Sequence, residues 1–184
     1  ANTGTISPGA NKTFSANVPL TVNSGATLSI SNNLTFNGDF INNGGTASGT
    51  GTVTIAGTAT QNIGAFTTTN TVSMTKTAGT ATFTGSVNGG AFTLNGNGGT
   101  LNLGTALTHT FTGIWTRTNG TLNGGSSTLR LGSTITGTGG SFNAGTGTVE
   151  YSGAAQTVAA LLYNNLTLSG SGTKTFATST TIGN

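Results

Sequence analysis

Residues 145–176 read GTGTVEYSGAAQTVAALLYNNLTLSGSGTKTF, and residues 49–83 read GTGTVTIAGTATQNIGAFTTTNTVSMTKTAGTATF. The two stretches share their opening glycines, an Ala-to-Gln step and a closing Thr-x-Phe. A chain that restates itself over so long a distance stacks like units, and that excludes most closed globular cores.

Within and between these stretches the recurring unit is short: LTVN (20–23), ATLSIS (26–31), TVTI (52–55), TVSM (71–74), AFTL (91–94), TLRL (128–131) and TVEY (148–151). Each sets two apolar residues two apart around a polar one, which turns both apolar groups to one face of a strand. No window carries a helical period. The 43 threonines and 32 glycines oppose helix throughout.

Strands recur from Val53 to Val72 to Phe92 and from Leu101 to Leu129 to Val149. This spacing predicts an all-β chain in which residues 1–184 form one parallel β-helix, a β-solenoid with about 20–25 residues per coil and about eight rungs. Parallel rungs bring like residues over like, so Thr, Asn and Val gain by stacking whereas charges repel. Charged residues are accordingly 4% of the chain.

The phrase Gly-Thr-Gly-Thr-Val-x-(Tyr/Ile)-x-Gly-x-Ala-(x)-Gln, followed by Asn-Leu-Thr-Leu-Ser-Gly-Ser-Gly-Thr-Lys-Thr-Phe, resembles repeats of large bacterial extracellular proteins of the adhesin and cell-surface type. The resemblance covers residues 49–83 and 145–176. It implies coils of a β-helix and an extracellular, secreted location.

Catalytic chemistry has little to draw on. Asp39 and Glu150 are the two carboxylates and fall at different coil positions, so an acid–base pair is not expected and the chain is read as no enzyme. His109 lacks a second histidine or a cysteine, so neither a metal nor a cofactor is expected, and the side chain is read as solvent-facing. Tyr151 and Tyr163 read as core or corner residues. Trp115 with Arg117 two residues on is the candidate exposed aromatic contact, suited to a glycan or a neighbouring subunit. An isopeptide from Lys76 or Lys174 to an Asn beside a carboxylate is a minor expectation.

The formal charge of +3 comes from five scattered cations, which gives no surface for nucleic acid. No apolar run is long enough for a membrane helix, and one Trp and two Tyr cannot furnish the girdles of a membrane barrel.

The two ends match. ISPGANKTF (6–14) aligns without a gap on LSGSGTKTF (168–176), bringing Lys12, Thr13 and Phe14 onto Lys174, Thr175 and Phe176. An uncapped solenoid end is an open template for another strand. Ile6, Lys12, Thr13, Phe14, Leu168, Lys174, Thr175, Phe176 and Ile182 are therefore the expected contact between copies of the chain, joined end to end or by strand donation into a structural extracellular filament. The alternatives are the stalk or passenger of a surface adhesin, whose partners are glycans, and an ice-binding threonine array. Against the array stands the irregular spacing of TKTAGTATFTG (75–85), THTFTG (108–113) and TITGTG (134–139).

Overall fold

The computed structural model describes residues 4–178 and 181–183, and among these every regular element is a strand. The alternating triplets form the strands, and glycine, asparagine and serine fill the corners between them. Pairing between named strands is parallel throughout, with partners about one coil apart in sequence: Thr5 lies opposite Thr27, and Leu34 opposite Val53.

One face of the solenoid, face 1, is a nine-stranded sheet running from Thr5–Ile6 to Asn165–Leu168. Each circuit of the chain contributes one of its strands, which makes nine coils. Face 2 begins at Lys12–Phe14 and face 3 at Leu20–Asn23. Two strands, Phe92–Asn102 and Trp115–Asn123, turn the corner between these faces, so a single twelve-stranded sheet doubles back through them. The corner they turn requires positive φ, supplied by Gly98 at +92° and Gly120 at +90°, where a side chain would strain the backbone. In the last two coils, faces 2 and 3 continue as separate pairs: Gln156–Val158 with Lys174–Phe176, and Leu162–Tyr163 with Thr181–Ile182.

The expected series Val53, Val72, Phe92 is an inward column of face 2, in register and fully buried. The second expected series is divided. Leu101 stacks between Ala81 and Leu122 on face 3, while Leu129 lies opposite Val149 on face 1. One apolar-polar-apolar triplet serves every face, so spacing alone cannot separate one coil from one coil plus a face. Coil lengths are also shorter than expected at the low end: Thr148 meets Asn165 after 17 residues, and Phe92 meets Trp115 after 23.

The polar member of each triplet points out. On face 2 the pairings Thr13–Thr35, Thr35–Thr54, Thr54–Ser73, Ser73–Thr93, Thr93–Thr116 and Thr116–Thr136 build a continuous hydroxyl column. Inside, Phe14 and Phe36 stack along the axis with centroids 5.3 Å apart, and Phe36 stacks on Phe40 of the same coil, across the corner, at 5.0 Å. Where two charges do meet on one column they have opposite sign: Arg130 is opposite Glu150, with Nε 2.9 Å from the carboxylate. Both are partly solvated, so the pair contributes about 0–1 kcal/mol.

Candidate assembly interface

The end coils differ from the interior in what their core columns expose. In the interior, residues of these columns such as Leu28, Leu34 and Val158 are 1% exposed or less. On the first coil, Ile6 lies opposite Leu28 yet is 59% exposed, because no described residue covers its other side. Phe14 stacks on Phe36 and stays half-buried, and Val18 is exposed. On the last coil, Leu168 is opposite Tyr151 and Phe176 opposite Val158, and both are exposed.

The remaining expected contact residues sort to the same two ends. Lys12 and Thr13 are exposed on the first strand of face 2, where Thr13 is the foot of the hydroxyl column. Thr175 is exposed opposite Thr157. Ile182 pairs through its backbone with Tyr163, and its side chain lies outside what the structure describes. The residues thus form two surfaces at opposite ends of nine coils, which is the arrangement a head-to-tail contact needs.

The matched lysines do not behave alike. Lys12 is opposite Leu34 with its side chain exposed. Lys174 instead folds over the preceding coil, its Nζ donating to the carbonyls of Gly153 (2.8 Å), Ala154 (2.6 Å) and Ser171 (3.0 Å). Sequence matching missed this difference, and it also missed exposed Val18, which lies between the matched segment and the next strand.

Four expectations are corrected. Trp115 is not an exposed contact; it is fully buried, because its column continues Phe92, whose ring is 5.8 Å away. Arg117, two residues on, is turned inward with it and is only 9% exposed, its Cζ 5.8 Å from the indole centroid. His109 is buried rather than solvent-facing. Its Nδ1 accepts from Val87 N–H (3.1 Å), which leaves Nε2 to donate to the Leu103 carbonyl (2.8 Å), the neutral tautomer. Burial pushes its pKa below the usual imidazole value, although the two backbone bonds oppose that shift. The isopeptide expectation is corrected too: Lys76 Nζ donates to the Ala56 and Ala59 carbonyls and to Gln61 Oε1 (2.7 Å), and Lys174 Nζ to backbone carbonyls, neither to an asparagine.

Asp39 and Glu150 do not share a site. Asp39 Oδ1 accepts from the Asn62 N–H, and Glu150 bonds Arg130 and Ser169. Among the described residues no group of three or more metal-ligating side chains occurs. Tyr151 and Tyr163 are core residues whose hydroxyls are 2.7 Å apart. They close a ring in which Ala159 N–H donates to Tyr151 and Tyr163 donates to the Ala159 carbonyl. The three Thr-rich stretches considered for ice lie on different faces: Thr80–Phe83 on face 3, Thr108–Phe111 on face 1 and Ile135–Thr136 on face 2.

No family model, curated protein or solved structure matches the chain.

Proposed function

We propose that the chain is a structural subunit of an extracellular filament and that its partner is another copy of itself, joined end to end through the terminal coils or by strand donation. The observation that carries this reading is the pair of open ends. Among the described residues each presents unpaired strand edges together with apolar side chains of the core columns, exposed Ile6 and half-buried Phe14 at one end and exposed Leu168 and Phe176 at the other.

Burying these half-open side chains, with Val18, is worth on the order of 5 kcal/mol. Each new rung hydrogen bond adds about 1 kcal/mol. The sum is comparable with the roughly 4–15 kcal/mol cost of association, so assembly is expected to depend steeply on concentration. The same ends accept further coils of a longer chain equally well. That is the stalk of a bacterial surface adhesin, and the repeat phrase of residues 145–176 favours this second reading.

Electron microscopy of the purified chain across a concentration series tests the proposal. Unbranched fibres with an axial repeat of about 40 Å, nine rungs at about 4.8 Å, are expected. Phe176→Ser and Ile6→Ser should each abolish fibres while leaving the far-UV spectrum intact. Discrete monomers at high concentration would overturn the filament and leave the stalk.

A further inference from the structure

Arg117 carries a charge that the described protein does not neutralise. The two carboxylate side chains are engaged elsewhere, Glu150 with Arg130 and Asp39 with Asn62. One Nη of Arg117 donates to the Gly140 carbonyl (2.9 Å), but its buried Nε has no partner, nor has the neighbouring Trp115 Nε1. Burial pushes the Arg117 pKa down and the two nearby tyrosines push it up. A guanidinium remains protonated under such pressures. A buried cation without a counter-ion is costly, and it is the more conspicuous in a chain whose other buried polar side chains, Lys76, Gln61, His109 and Gln156, are all hydrogen-bonded.

The backbone opens at the same place. On face 2 the strand Ile135–Thr136 pairs back with Trp115–Asn123, and Gln156–Val158 pairs forward with Lys174–Phe176, but the two do not pair with each other. Beside this break a groove of about 460 Å³ is lined by Arg117, Ile135, Gly137, Thr138, Ala159 and Leu161. Its walls are somewhat more apolar than polar, with Thr138 and Thr157 as the hydroxyl-bearing residues and Arg117 as the cation among them. Ala159, on one wall, is held by the tyrosine hydroxyl ring, so that side of the groove is fixed before any ligand arrives.

We propose that this groove binds a carboxylate carried on a short apolar chain. The Arg117 guanidinium, part of the groove wall, receives the charge of the carboxylate, while Ile135, Ala159 and Leu161 cover the chain. A neutral ligand leaves the charge uncompensated. A phosphate, having no apolar part, leaves Ile135, Ala159 and Leu161 uncovered. The site lies between the seventh and eighth coils and does not depend on what occupies the ends.

Trp115, the sole tryptophan, reports on the site, and the test is a fluorescence titration of the full chain with hexanoate, hexanamide and inorganic phosphate. Hexanoate should give a saturable change, with hexanamide and phosphate at least tenfold weaker. Arg117→Met should weaken hexanoate at least tenfold and leave the melting temperature equal or higher, because the uncompensated charge is gone. Ala160→Phe, at an exposed position on the rim, should obstruct the groove with Arg117 intact and weaken binding as much. This second variant decides the matter if Arg117→Met does not fold. Hexanamide or phosphate binding as tightly as hexanoate, no saturable hexanoate response, or native-like binding by Ala160→Phe would overturn the proposal.

Discussion

The phrase that starts at Gly49 and the one that starts at Gly145 are folded alike but begin on different faces: Val53–Ile55 belongs to face 2, Thr148–Tyr151 to face 1. Each then reaches its glutamine one face later, and both glutamines turn inward to hold the coil below. Gln61 Nε2 donates to the carbonyls of Phe36 and Gly38, and Gln156 Nε2 to those of Leu131 and Ser133. The phrase is therefore an instruction for one corner and its flanking strands, valid at any corner. The two copies part at their lysines. Lys76 is fully buried in the interior of the rod and bonds Gln61 Oε1, whereas Lys174 caps carbonyls at the open end and remains half-buried. The same chemistry thus closes a core in one place and covers an end in the other.

This difference is broken most sharply at the lysines. Lys76→Met removes the donor from the buried Gln61 Oε1 and from two partly buried carbonyls, so it should cost about 3 kcal/mol. Lys174→Met leaves carbonyls that water can reach, and should cost about 1 kcal/mol or less. Urea unfolding of both variants compares them, and equal losses would mean that the end is as closed as the middle.

Next in size is Val72→Thr. Val72 has no exposed surface and sits in a column between Val53 and Phe92, so a hydroxyl there lacks a partner and should cost about 1–3 kcal/mol in the same measurement. A negligible loss would mean that the inward columns admit water.

Much of this was legible in the residues. Alternation located the strands, and the spacing of Val53, Val72 and Phe92 gave the true register because all three lie on one face. His109 was also within reach: it lies two residues before Phe111, hence on the apolar side of its strand, and only its polarity argued for solvent. Trp115 and Arg117 share that logic. The Lys76–Gln61 contact was not legible, since the two residues meet through the stacking of coils whose lengths vary between 17 and 24 residues. At the ends, the Lys-Thr-Phe match fixed which residues are terminal, but the fold of Lys174 over Gly153 depends on the loop beneath it.

Acid should act on the interior before the ends. His109 is held neutral, and its folded pKa lies below the unfolded value of about 6.5. The unfolded chain therefore binds the extra proton first, so the stability is fully present above about pH 6.5 and is lost as pH falls toward the folded pKa. Protonated Nδ1 would also point an N–H at the Val87 N–H. Urea midpoints from pH 7.5 to 5 should fall in the native chain. In His109→Phe they should be flat over that range, though lower throughout because Val87 N–H loses its acceptor. A slope that survives in the variant would remove His109 as its cause.

The smallest effect is expected from Thr54→Val on the outer column. Thr54 stands between Thr35 and Ser73, half-exposed, with water available to its hydroxyl. Valine keeps the branched shape that suits a strand and loses only that hydroxyl, so the change should stay within about 0.5 kcal/mol. Placed beside Val72→Thr, the reverse exchange one coil away, it isolates orientation, since the same two side chains are traded on the two sides of one sheet. A loss above about 1 kcal/mol would show that the hydroxyl column is itself cohesive, as the 3.3 Å contact between Thr136 and Thr116 permits locally. Abundant threonine would then hold the rungs together as well as making the outer surface polar.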